Sequence, residues 1–176
     1  MNYYKFLPDH GKEISLLLKK YVLENNHLLT NKYSFVFCNT KHVLESIPEL
    51  SDYFKQYRLT VKHVFLFVSC VQFGRIHLDN DFENPLRVNF PVLNCEDTET
   101  IYYKTTASGR PIEDLNMPTT VFQPSDVIAV CKYNLSSAVI MKTQEIHQVV
   151  VNHNNFPRVS CTIACNGDLF SLFNSL

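Results

Sequence analysis

Beyond Arg58 the chain breaks into short runs rich in Val, Ile, Phe, Tyr and Thr, and this change of period constrains the fold more than any other feature. The runs are His63–Cys70, Leu86–Leu93, Thr100–Thr105, Val127–Tyr133, Ser137–Val151 and Arg158–Cys165, most of them separated by Pro, Gly, Asn, Asp or Ser clusters. Ser137–Val151 is long enough for two strands or one long bent one. Before Arg58 the spacing is helical instead. Ile14, Leu17, Leu18, Tyr21 and Val22 form one apolar stripe along Lys12–Glu24, and Asn25-Asn26 is the expected stop. A second helix is expected from Asn39/Thr40 and a third from Pro48. There Ser46 and Glu49 have capping-box spacing, and Leu50, Tyr53, Phe54 and Tyr57 would form the inner face. Helices followed by many strands predict a mainly β (α+β) fold, a jelly roll or small barrel buttressed by N-terminal helices. With 176 residues and no visible linker, one domain is expected over 1–176, helical in 1–58 and β in 59–176.

Composition removes several function classes. Sixteen Lys+Arg against seventeen Asp+Glu leave a formal charge of −1, so no global field draws nucleic acid or an anionic membrane. Four glycines give no Gly-rich phosphate loop. No apolar run is long enough to span a bilayer, so no membrane partner is expected. Cys38, Cys70, Cys95, Cys131, Cys161 and Cys165 are scattered and contain no CxxC, and Met1–Lys5 does not open a secretory signal. Reduced, mostly buried thiols in a cytoplasmic protein are the expectation.

The chemistry-bearing residues begin at Arg75-Ile76-His77-Leu78-Asp79, which holds the only His-x-Asp/Glu of the chain. In an extended strand, residues i and i+2 share a side, so His77 and Asp79 can reach one metal ion. The motif alone is weak, because composition gives roughly 0.7 such matches by chance. Its weight comes from the far end of the sequence. His147 lies in a strand-like run, Arg158 follows eleven residues later, and Ser160 shares the Arg158 strand face. An arginine inside a β-rich core is expensive unless it meets an anion. Beside a hydroxyl it makes a fork for a ligand carboxylate. His153 competes with His147, but it lies among Asn152, Asn154 and Asn155, which read as a turn. Asp81 would replace Asp79 only if a turn brought it back, and Glu83 extends the same acidic loop. Cys161 and Cys165 lack the four-ligand pattern of a zinc site.

His77, Asp79, His147, Arg158 and Ser160, in this order and spacing, resemble the 2-oxoglutarate/Fe(II)-dependent oxygenases, whose core is a double-stranded β-helix. The resemblance covers about residues 63–165. It implies Fe(II) held by His77, Asp79 and His147, the two-His, one-carboxylate triad that leaves positions open on iron. It also implies that Arg158, helped by Ser160, pairs with the distal carboxylate of 2-oxoglutarate. Dioxygen would then be consumed, succinate and carbon dioxide released, and a substrate hydroxylated. The run Leu86–Cys95 looks like the strand that follows the metal motif in aspartyl/asparaginyl β-hydroxylase-like branches, where an Arg-x-His pair contacts the cosubstrate. Arg87 and Asn89 occupy that pair's places. Asn89 departs from the pattern, as does Asp79, since the hydroxylases proper commonly lack the acidic ligand. A tyrosine hydroxyl often contacts the cosubstrate in this family, and Tyr102 and Tyr103 point opposite ways, so at most one serves; Tyr103 is the residue expected. The substrate class is a small molecule or a protein side chain. Two other readings keep the fold: a non-catalytic jelly-roll structural or interaction protein with a vestigial metal site, and a cupin-like metalloenzyme that does not use 2-oxoglutarate.

Overall fold

The computed structural model describes residues 2–7, 10–29, 33–80, 85–112 and 119–176. Asp81 and Glu83 lie outside them. Among the described residues the chain forms twelve strands and four α-helices. The first part contains β1 (Tyr4–Phe6), α1 (His10–Glu24), β2 (Tyr33–Cys38), α2 (Thr40–Ser46) and α3 (Pro48–Lys55). There follow β3 (Thr60–Ser69), β4 (His77–Asp79), β5 (Leu86–Leu93), β6 (Thr98–Thr105), β7 (Arg110–Ile112), β8 (Thr119–Val121) and β9 (Val127–Asn134). The chain closes with β10 (Val139–Lys142), β11 (His147–Val151), β12 (Arg158–Asn166) and α4 (Leu169–Ser175). Ser137–Val151 therefore holds two strands. Every strand pairing is antiparallel, in two six-stranded sheets ordered β1-β10-β5-β12-β3-β2 and β7-β8-β4-β11-β6-β9. This is a jelly roll.

The first sheet is covered on both faces, and the pleat decides which residue goes where. Val88 and Phe90 of β5, Cys161 and Ile163 of β12, and Val64 and Leu66 of β3 share one face. They form a single core with Ile14, Leu18 and Val22 of α1, Leu50, Tyr53 and Phe54 of α3, and Leu169 and Phe173 of α4. The intervening residues, Arg87 and Asn89 of β5 and Arg158, Ser160 and Thr162 of β12, face the second sheet. A smaller core between the sheets contains Tyr3, Tyr102, Tyr133, Val139 and Met141, with Tyr3 stacked on Tyr102 at 4.9 Å.

Two local expectations change. The 1–58 segment is not purely helical, because β1 and β2 pair with β10 and β3 and become the edges of the first sheet. The third helix begins after Ile47, with Pro48 at its first turn and no side-chain cap, so the Ser46/Glu49 capping box does not form. The second helix is capped as its sequence implies: Asn39 Oδ1 accepts from the His42 N–H at 3.2 Å. All six cysteines are free thiols, with Cys95 and Cys161 buried. Among the described residues no helix is long and apolar enough to cross a membrane.

Candidate metal centre

β4 carries both members of the His-x-Asp motif, and β11 pairs with it so that His147 lies opposite His77. Ligand atoms of His77, Asp79 and His147 all lie within 4.8 Å of one another. His77 Nε2 is 3.6 Å from Asp79 Oδ1, and the two imidazole centroids are 4.4 Å apart. Each ring is fixed from behind by the backbone two residues earlier. His77 Nδ1 is 2.9 Å from the Arg75 carbonyl, and His147 Nδ1 is 2.9 Å from the Glu145 carbonyl. A carbonyl only accepts, so each Nδ1 carries the ring proton and donates it. In a neutral ring this leaves the lone pair on Nε2, the tautomer in which Nε2 can ligate a metal.

Electrostatics favour the same reading. His147 is buried, and burial, reinforced by the neighbouring His77, pushes its pKa down to about 4 against the pull of Asp79. It is therefore neutral near pH 7. Asp79 is 3% exposed, and its Oδ1 has no hydrogen-bond partner. A buried carboxylate oxygen left without a partner is costly, and a cation between it and two imidazoles removes that cost. Two imidazole nitrogens and one carboxylate suit a divalent first-row metal. The residues present fit Fe(II).

The residues expected to bind an anion lie in the same cavity. His77, Asp79, His147, Arg158, Ser160, Arg87 and Asn89 all line it. Arg158 is 2% exposed; its Nη1 donates to Ser160 Oγ at 3.1 Å and its Nε has no partner. Among the described residues no carboxylate lies within ion-pair distance of Arg158. Its guanidinium lies over the Phe67 ring at 5.9 Å, while that of Arg87 lies over Phe35 and Phe65 at 5.8 and 5.2 Å. Asn89 Nδ2 rests 2.7 Å from Met141 Sδ, and its Oδ1 has no partner.

Tyr103 is the expected residue that the structure does not bring in. Its hydroxyl donates to Gln148 Oε1 at 2.7 Å, on the other side of the sheet. Pairing of β6 with β11 sets Tyr102 opposite His147, and alternation then turns Tyr103 away. Tyr102 is fully buried and donates to the Lys142 carbonyl at 3.3 Å, so neither hydroxyl lines the cavity. His153 is held in a turn, with Nε2 3.1 Å from the Asn94 carbonyl and Nδ1 accepting the Asn155 N–H at 3.0 Å. Phe35 and Phe67 also line the cavity and were not anticipated. The alternation of Phe35 and Phe37 in Tyr33–Cys38 is the sequence signal that could have revealed them.

No protein-family model matches the chain, and no curated protein matches it in sequence. Among solved structures it is similar to the non-heme α-ketoglutarate-dependent epimerase SnoN from nogalamycin biosynthesis. That match has TM-score 0.52 and 12% identity, covering 93% of this chain and 78% of the other. Hydroquinone 1,2-dioxygenase matches with TM-score 0.41 and 9% identity, covering 94% of this chain and 81% of the other, too low to carry an argument. The first similarity speaks to the fold, and it agrees with the two antiparallel sheets: the chain is a jelly roll of the double-stranded β-helix kind.

Proposed function

We propose that this protein is a 2-oxoglutarate- and Fe(II)-dependent oxygenase that hydroxylates a substrate. The observation that carries the reading is Arg158, a buried guanidinium with no carboxylate beside it among the described residues, in the cavity that holds the His77–Asp79–His147 cluster. A non-catalytic jelly roll has no use for a buried cation aimed into a cavity, where replacement by an apolar residue would stabilise the fold. A metalloenzyme without an acidic cosubstrate gives Arg158 no role either. The fold is shared with an enzyme described as α-ketoglutarate-dependent, which is consistent with this use of the cavity.

In this reading His77, Asp79 and His147 hold the metal by Nε2, a carboxylate oxygen and Nε2. Iron bound there would supply the oxidative chemistry, in which one oxygen atom of dioxygen would enter the substrate and the other succinate as 2-oxoglutarate loses carbon dioxide. The chain's own residues position the reactants. Arg158 binds the distal carboxylate of 2-oxoglutarate, and the Ser160 hydroxyl, which accepts from Arg158, is free to donate its own proton to the same carboxylate. Arg87 and Asn89 complete the polar floor beside His147. The buried setting strengthens these contacts and keeps bulk water from the cosubstrate.

The test is succinate release from 2-oxoglutarate by the full chain supplied with Fe(II), against a panel of small molecules and peptides. Metal-dependent succinate formation that His77→Ala abolishes is the expected result. No turnover with any substrate, together with no 2-oxoglutarate binding by the metal-loaded chain, would overturn the proposal.

A further inference from the structure

We infer that the phenylalanine wall formed at the cavity by Phe35 and Phe67, and continued to solvent by Phe37, is the substrate subsite, and that it takes an aromatic or branched aliphatic group presented beside the metal ligands. This deepens the oxygenase reading and rests on it for the reacting chemistry. Phe35 and Phe37 occupy alternate positions of edge strand β2, and Phe65 and Phe67 alternate positions of β3. The strand register pairs Phe35 with Phe67 and Phe37 with Phe65, so all four stand on one face. Their rings meet edge to face, at centroid distances of 5.6 Å for Phe35–Phe67, 5.9 Å for Phe35–Phe65 and 4.7 Å for Phe37–Phe65.

The row runs from solvent into the site. Phe37 is 62% exposed, while Phe35 and Phe67 are half-buried and line the cavity. Across from them the second sheet contributes His77 and Val149, which are also half-buried. Asp79, His147, Arg158 and Ser160 are buried. The cavity therefore has a deep polar end and a mouth with hydrocarbon on one wall and a metal ligand on the other. An edge strand ordinarily carries charge or proline at such a position, because exposed aromatics there invite unwanted association.

The test uses indole, a neutral aromatic that cannot compete for Arg158. The chain contains no tryptophan, so indole fluorescence reports its own binding. Indole is titrated into the full chain loaded with redox-inert Zn(II) and 2-oxoglutarate, in the wild type, Phe37→Ser and Phe37→Leu. The thermal shift caused by Zn(II) and 2-oxoglutarate is recorded for each. Expected are saturable binding by the wild type, about tenfold weaker binding by Phe37→Ser, and recovery in Phe37→Leu, all with an unchanged thermal shift. Absence of saturable binding in a wild type that shows the thermal shift would overturn the inference, as would equal affinity in Phe37→Ser. So would a dimer that Phe37→Ser splits, since a second copy would then cover the wall. Phe37-dependent indole binding without any 2-oxoglutarate shift would support the apolar subsite and remove the oxygenase reading instead.

Discussion

Replacing Arg158 with methionine separates a buried charge kept for a ligand from one kept for the fold. The guanidinium is 2% exposed and has one hydrogen bond, to Ser160, and one ring contact, to Phe67. Burying an unpaired ion costs several kcal/mol after relaxation. Against this, the bond to Ser160 returns about 1.5–3 kcal/mol and the contact with Phe67 about 0.5–2 kcal/mol. Methionine keeps an unbranched apolar stem and removes the charge. The ligand-free Arg158→Met protein should therefore be more stable, by about 1–3 kcal/mol, which for a domain of this size raises Tm by about 2–12 °C. The assay is thermal unfolding of wild type and variant in three states: metal-free, with Mn(II), and with Mn(II) plus 2-oxoglutarate. At a hundredfold excess over Kd a ligand adds about 2.7 kcal/mol. The Mn(II) increment should survive the substitution, and the 2-oxoglutarate increment should vanish. A variant several kcal/mol less stable than wild type would refute the argument from unpaired charge. A retained 2-oxoglutarate increment would refute the role assigned to Arg158.

Three further outcomes follow from the same geometry. His77→Ala should abolish the Mn(II)-induced rise in Tm while leaving the metal-free protein folded, because His77 lies at the half-buried mouth; an undiminished rise would remove it from the ligand set. In metal-free protein His147 is held down to about 4, whereas an unfolded histidine titrates near pH 6.5. Above pH 6.5 both states are neutral; as pH falls from about 6.5 to 4 the unfolded chain takes up a proton that the folded one refuses. Stability should drop by on the order of 3 kcal/mol across that window, measured by denaturant unfolding, and His147→Asn should flatten this part of the profile. Tyr103→Phe removes a hydroxyl bonded only to Gln148 outside the cavity, so it should cost about 1 kcal/mol or less and leave 2-oxoglutarate binding unchanged, as calorimetry would show.

Much of this site was legible because its key relations are local. His77 and Asp79 needed only strand alternation to share a side, and so did Arg158 and Ser160. The run Leu86–Leu93 coincides with β5 because a strand buried on both faces is apolar nearly throughout and stops at turn residues. What escaped depends on pairing between distant segments. β1 and β2 are short and sit among helices, and only their partners β10 and β3 make them edges of a sheet. The choice between Tyr102 and Tyr103 is set by the register against His147, 45 residues away. The phenylalanine wall needs β2 laid beside β3. At Ser46 a local rule failed for a local reason: proline starts the third helix one residue later, which leaves Ile47 at the cap.

The most direct test is an anaerobic calorimetric titration of the Fe(II)-loaded full chain with 2-oxoglutarate. Without dioxygen no turnover intervenes, so binding is read by itself. The account predicts one equivalent of 2-oxoglutarate bound per chain, with affinity that falls sharply when iron is removed and is lost in Arg158→Met. Binding of equal strength with and without metal, or no binding to the iron-loaded chain, would contradict it.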